Sequence, residues 1–191
     1  MEEYTNCCVC DDGEWTEGDP IVFCDGCDMG THVQCYGAPL IYGIPHDEWY
    51  CENCKHNARD AKCILCPNKG GAMKRTTDGR WAHISCALWI PEVFFLDPDS
   101  RDMIDIFKIA ERRWNYKCIY CNKVEGCCIE CSEPKCTAKF HVTCGISKKV
   151  LLEYKPSTTP GHPDIICAYC TEHAEAARKK SNWKMKYVIN K

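Results

Sequence analysis

Apolar residues in this chain come in short bursts between polar and glycine-containing stretches, and no burst approaches the about 18 residues of a membrane helix. "PIVFC" (20–24) reads as a short strand bounded by Pro20 and a cysteine pair. "HISCALWIP" (83–91) has its apolar residues at helical spacing and stops at Pro91. "KFHVTCGIS" (139–147) reads as a short helix around His141, with Gly145 near its end. "TEHAEAARKK" (171–180) predicts a helix capped by Thr171, with acids early and bases late. Residues 95–117 predict a structured connector, because Ile104, Ile106, Phe107, Ile109 and Trp114 are too apolar for a free linker. "KPSTTPGHPD" (155–164) is a loop by composition. Trp49, Trp81, Trp89, Phe94, Phe95 and Trp114 are expected in the core rather than as binding platforms.

Such bursts cannot build one large oily core. The apolar share of the 191 residues is 45%, but that share counts 20 cysteines. Small units with poor cores need disulfides or metal. The opening "MEEYTNCCVC" is acidic and polar, so no export signal is read there, and a reducing compartment is expected. Cysteine pairs at two-residue spacing in that setting read as zinc ligands.

The pairs are Cys7/Cys10, Cys24/Cys27, His32/Cys35 and Cys51/Cys54, then Cys63/Cys66 and His83/Cys86, then Cys118/Cys121, Cys131/Cys136, His141/Cys144 and Cys170/His173. These ten pairs supply twenty ligands, enough for five tetrahedral sites. Four filled protein positions leave no place for water, so each zinc is structural rather than catalytic. Cys8, Cys127, Cys128, Cys167, His46, His56 and His162 remain, and read as buried small residues or surface. Cys128 competes with Cys131, and Cys167 with His173, as ligands. The first eight ligands run four cysteines, one histidine, three cysteines; residues 118–173 repeat that order with histidine last, and a four-ligand unit lies between.

Residues 7–54 resemble a PHD finger, through the ligand order, the Cys27-to-His32 spacing and Trp49 two positions before Cys51. "CILCPNKGGAMKRTTDGRWAHISC" (63–86) looks like the zinc knuckle that precedes an extended PHD finger. "CIYC", "ECSEPKCTAKFHVTC" and "CAYCTEH" look like that extended finger. Together they resemble the PHD–zinc knuckle–PHD module of bromodomain-and-PHD-finger scaffolds, Jade proteins and plant trithorax-type proteins. The resemblance implies a small zinc-stabilised α+β fold: cross-brace finger, knuckle and extended finger packed as one module of short antiparallel hairpins and short helices. The expected divisions are 4–57, 60–94, a connector over 95–115, 116–176 and a basic tail over 177–191. It also implies the ligand sets Cys7, Cys10, His32, Cys35; Cys24, Cys27, Cys51, Cys54; Cys63, Cys66, His83, Cys86; Cys118, Cys121, His141, Cys144; and Cys131, Cys136, Cys170, His173.

Charge divides at the end of the first unit. Residues 1–56 carry twelve acids and one base, Lys55, whereas residues 57–191 carry 23 bases and 15 acids. Such a division predicts one basic and one acidic partner. The resemblance implies that the basic one is the amino-terminal tail of histone three, added as a strand beside Ile21, Val22 and Phe23. Glu17, Asp19, Asp25 and Asp28 would meet its basic side chains, and carbonyls of Pro45, His46 and Asp47 its terminal amine. A trimethyl-lysine reader carries a cage Trp two residues before the histidine ligand. Gly30 stands there, so the fourth-position lysine is expected unmodified. Nucleosomal DNA is the acidic partner expected for Lys69, Lys74, Arg75, Arg80, Arg112, Arg113, Lys117, Lys123, Lys135, Lys139, Lys148 and Lys149. Arg178, Lys179, Lys180, Lys184 and Lys186 could instead direct nuclear import. The reading is a nuclear, non-enzymatic subunit of a histone-modifying complex. A RING-type ligase is disfavoured by the ligand order, and a scaffold that reads no tail is the alternative.

Overall fold

The ligand pairs, rather than long periodic runs, set the lengths of the elements. The computed structural model describes residues 6–157 and 164–180. Five two-stranded antiparallel hairpins are present among them: β1 (Ile21–Phe23) with β2 (Gly30–His32), β3 (Met73–Arg75) with β4 (Trp81–His83), β5 (Phe94–Asp97) with β6 (Asp102–Asp105), β7 (Ile129–Glu130) with β8 (Lys139–Phe140), and β9 (Leu151–Lys155) with β10 (Ile165–Tyr169). The helices are α1 (Val33–Tyr36), α2 (Glu52–Lys55), α3 (Ile84–Trp89), α4 (Glu111–Trp114), α5 (Val142–Ser147) and α6 (Thr171–Lys180).

All of these helices except α4 begin directly after a ligand pair's first member and carry its second. His32 precedes α1, Cys51 α2, His83 α3, His141 α5 and Cys170 α6. The first four of these are extended, with ψ of 147°, 164°, 139° and 145°. The chain then turns helical, and the second member, three residues on, falls beside the first. Thr171 is therefore the first residue of α6 rather than the residue ahead of it, and its N–H donates to the Tyr120 hydroxyl at 3.1 Å.

One buried cluster runs through all three ligand units, from Val9 and Tyr36 through Leu65, Ile84, Phe95 and Ile104 to Phe140 and Val142. Leu65, Ile84 and Phe140 are fully buried, each contributing about 1.5–3 kcal/mol. The units meet at close backbone contacts. Cys127 N–H donates to Leu65 O at 3.0 Å, and a Cβ on Gly126 (φ +78°) would stand 2.6 Å from that same carbonyl. Asn68 donates to the Thr143 hydroxyl at 2.8 Å. The Tyr154 hydroxyl donates to Leu88 O, and its ring lies 4.7 Å from Trp89.

The connector is structured, with Ile104, Ile106 and Ile109 buried, but Phe107 and Phe94 depart from expectation and are exposed. Phe94 alternates with buried Phe95 on β5, which turns it outward. Trp49, Trp81 and Phe95 are buried, and Trp89 and Trp114 half-buried. The β9–β10 hairpin was not anticipated. Its inward positions include Glu153 and Cys167 opposite each other, so an apolar alternation does not stand out. Residues 158–163 of the expected loop, with His162, lie outside the described residues, as do Lys184 and Lys186.

Candidate metal centres and partner surface

The donor atoms gather into five groups of four, each within 4.8 Å: Cys7, Cys10, His32 and Cys35; Cys24, Cys27, Cys51 and Cys54; Cys63, Cys66, His83 and Cys86; Cys118, Cys121, His141 and Cys144; Cys131, Cys136, Cys170 and His173. The second pair of each eight-ligand unit sits in the turn of a hairpin, β1–β2 or β7–β8, and the histidine sits at its end. Each hairpin is thus strung between two centres. The residue after a cysteine pair closes the turn in a left-handed conformation: Asp11 (φ 62°), Asp28 (φ 58°) and Asn122 (φ 60°), whose N–H groups return to Cys7, Cys24 and Cys118 carbonyls. Asp and Asn tolerate that conformation best among residues with a side chain.

The spacings fit zinc. Tetrahedral zinc holds two sulfurs about 3.8 Å apart. Cys27 and Cys51 sulfurs are 3.8 Å apart, and those of Cys136 and Cys170 3.9 Å. Each histidine presents Nδ1 to its cysteines, at 3.3 and 3.9 Å for His32 and 3.2 and 3.8 Å for His83. In two of them the outer nitrogen faces a carbonyl: His32 Nε2 lies 2.7 Å from Glu14 O and His83 Nε2 2.6 Å from Gly70 O. Donation there fixes the tautomer that leaves Nδ1 free for metal. Backbone N–H groups also reach the sulfurs, as Val9 and His32 reach Cys7, and Gly26 and Cys51 reach Cys24. These are five closed zinc sites whose contribution is folding energy.

The remaining cysteines lie outside the groups. Cys127, Cys128 and Cys167 are buried and Cys8 is exposed. Burial pushes the Cys128 thiol up to about 12 and the Cys127 thiol up as well, which keeps both neutral. The fifth group contains Cys131 and His173, not Cys128 or Cys167. His46 and His56 are exposed, His56 beside Glu52 at 3.4 Å.

On the acidic side, β1 has one edge on β2 and no partner on the other among the described residues. Val33 N–H bonds Pro20 O and Cys24 N–H bonds Met29 O. By the alternation of an antiparallel ladder, Val22 then faces β2, and the N–H and C=O of Ile21 and Phe23 point away from it. Phe23 is exposed, Ile21 and Val22 are half-buried, and Glu17, Pro45, His46 and Asp47 are exposed. The aspartates hold the first unit together. Asp19 Oδ1 accepts from Gln34 N–H at 2.9 Å, and Asp25 Oδ2 accepts from Trp49 N–H at 2.7 Å. At Gly30 a Cβ would meet the Phe23 ring at 2.8 Å, so that ring occupies the place of a side chain. Trp15 and Tyr42, 64% and 77% exposed, were not singled out from sequence; for Trp15, an aromatic in an otherwise polar stretch was the available signal.

On the basic side, Lys74 is a correction. It is buried, and Nζ donates to Ala38 O at 2.9 Å, Ser100 O at 3.2 Å and Asp102 at 2.9 Å, over the Tyr36 ring. It joins the first unit, the knuckle and the connector, and cannot face DNA. Arg113 is likewise buried, with Nε on Glu92 at 2.9 Å and a guanidinium N–H on Cys128 O at 3.3 Å. Several exposed cations are engaged locally: Arg75 stacks 4.3 Å from Trp81, Arg80 pairs with Asp78 and Lys149 with Asp11. Lys139, half-buried, lies 4.7 Å over Tyr116, and Arg112 stands 3.9 Å from Glu130. Lys69, Lys117, Lys123, Lys135, Lys148, Arg178, Lys179 and Lys180 are exposed.

Residues 61–173 match the family described as "PHD-zinc-finger like domain", and residues 7–54 match the PHD finger. The chain is 39% identical over 194 residues to human bromodomain and PHD finger-containing protein 3, covering 95% of this chain and 16% of that protein. It is 38% identical over 176 residues to human E3 ubiquitin-protein ligase Jade-2, covering 91% of this chain and 21% of that protein. It therefore spans only a small part of these curated relatives. The crystal structure of the zebrafish PHF14 PZP module matches at 32% identity with TM-score 0.72, covering 92% of this chain and 91% of that one.

Proposed function

The chain belongs to the family that joins a PHD finger to a PHD-like zinc-finger domain, and from that premise we propose that it is a chromatin reader of the histone-three amino-terminal tail. The observation that carries the reading is the open outer edge of β1. An extended peptide adds there through the groups of Ile21 and Phe23, with its basic side chains toward Glu17, Asp19, Asp25 and Asp28. Asp19 and Asp25 each spend one carboxylate oxygen on the fold, which leaves the other for a cation. Carbonyls of Pro45, His46 and Asp47 receive the tail's amine. With the Phe23 ring over Gly30, the fourth-position lysine is read unmodified.

Exposed Lys69, Lys123, Lys135 and Lys148 supply phosphate contacts to nucleosomal DNA, independent of base sequence, and Arg75, Arg80, Lys139 and Lys149 join them where they leave their local partners. The histidine in fifth place of each eight-ligand unit speaks for binding rather than ubiquitin transfer, whatever activity gives Jade-2 its name. The place of action is the nucleus, in a histone-modifying complex. Calorimetry with unmodified, trimethylated and amino-terminally acetylated tail peptides tests this. Binding is expected for the first, with at least tenfold weakening by either modification. Equal affinity for the acetylated peptide overturns amine capture, and absence of binding leaves the scaffold.

A further inference from the structure

Four of the exposed large apolar side chains fall within residues 94–107, from the end of the knuckle into the connector: Phe94 (40% exposed), Leu96 (57%), Met103 (53%) and Phe107 (73%). The first three share a cause. Phe95 and Ile104, cross-strand partners, point into the core, so their neighbours on both strands turn to solvent. Met103 does so from a left-handed backbone (φ 57°), a conformation unfavourable to its side chain. Solvent-facing positions of a hairpin ordinarily carry polar residues, and exposed large apolar side chains gathered on one hairpin mark a contact surface.

The hairpin's edges differ. Thr77 N–H bonds Ile104 O at 3.0 Å, so β3's loop covers the outer side of β6. β5 pairs only with β6 among the described residues, and its other edge is open. Proteins blunt such edges with lysine or proline, and neither lies within Phe94–Asp97, although Pro98 follows.

The charge around the patch selects the occupant. Residues 94–107 hold four aspartates and one arginine, inside the half of the chain that is otherwise basic; Asp102 is paired with buried Lys74, which leaves Asp97, Asp99 and Asp105 as the acids available to a partner. Asp97 and Asp99 are exposed at the hairpin turn, and Asp105 stands across from Phe94. Arg101 lies over the Phe95 ring at 5.6 Å, and Lys108 lies 5.5 Å from Phe94. A second copy in isologous contact would set aspartate against aspartate, and a nucleic acid would meet the same repulsion. We propose that β5 is a second docking edge, taking an extended partner-protein segment in which large apolar residues alternate with lysine or arginine. Apolar side chains lie over Phe94, Leu96 and Phe107, basic ones reach the aspartates, and the backbone pairs with β5. This surface is separate from β1 and does not rest on tail reading.

The test is selection from a random displayed twelve-residue peptide library on the zinc-loaded chain, with counter-selection on the doubly substituted Leu96→Lys, Phe107→Lys chain. Both substitutions are at exposed positions, and unchanged zinc content confirms folding. Enrichment of alternating apolar–basic sequences, with binding at least tenfold weaker to the double variant and amide shifts confined to 94–107, is the expected result. Enriched sequences that lack basic residues, or that bind both chains equally, overturn the proposal. So does a concentration-dependent dimer in sedimentation that the double substitution abolishes, which would assign the patch to a second copy.

Discussion

At the residue scale, the acids that mark a partner surface also build it. Removing Asp25 leaves the Trp49 N–H without its 2.7 Å partner, at a cost of about 1–3 kcal/mol. Asp25→Ala is therefore expected to lower the melting temperature as well as tail affinity, whereas Glu17→Ala, at an exposed side chain, is expected to lower affinity alone. Melting curves beside titrations separate the two. Lys74→Met removes the donor shared by Ala38 and Ser100 carbonyls and costs about 1–3 kcal/mol for each acceptor left unpaired. It should leave the salt slope of DNA binding unchanged, whereas Lys69→Ala should reduce that slope by about 0.9. Equal slopes for both would remove Lys69 from the contact. Sequence shows that Lys74 is cationic but not that residues 38, 100 and 102 converge on it. Its burial depends on three segments meeting and was not legible.

At the element scale, the two-residue gap carries most of the information. A helix that starts after one ligand brings the next, three residues on, beside it, and at Cys7/Cys10, Cys24/Cys27 and Cys118/Cys121 a turn does the same, so the spacing dictates the donor grouping but not the element. α3 is legible from its helically spaced apolar residues ending at Pro91; the sequence reads a helix over 139–147, but α5 begins only at Val142, after strand β8 at Lys139–Phe140. The choice among neighbouring cysteines near 128–136, by contrast, depends on which lie in the β7–β8 turn. β9 escaped notice because buried Glu153 interrupts its apolar pattern. The strand-edge reading has its own test. Ile21→Pro removes an N–H directed away from β2, which an edge strand tolerates. Zinc content and melting should change little, while tail affinity falls at least tenfold. Retained affinity would place the tail elsewhere. Gly30→Trp should not create a trimethyl-lysine reader, because the Phe23 ring already fills that space.

At the scale of the whole molecule, five zinc sites share one buried cluster, so the units should not unfold as separate beads. Cys63→Ser, which opens the knuckle site, is expected to loosen both fingers. Amide spectra should broaden in 7–54 and 118–173 alike; loss confined to 61–90 would contradict a shared core. Zinc is held by deprotonated thiolates and neutral imidazoles, so its stabilisation is present at neutral pH and lost as pH falls. A zinc-sensitive dye should report release together with loss of helix signal on acidification. The division of charge remains the clearest whole-chain clue: an acidic first unit with an open strand, and a basic remainder interrupted by one acidic hairpin. The most direct measurement is amide hydrogen exchange of Ile21 and Phe23 with and without saturating unmodified tail peptide. Strand addition predicts that both amides slow at least tenfold while Val22, already facing β2, changes little. Unchanged exchange at Ile21 and Phe23 in a saturated complex would contradict reading by the β1 edge.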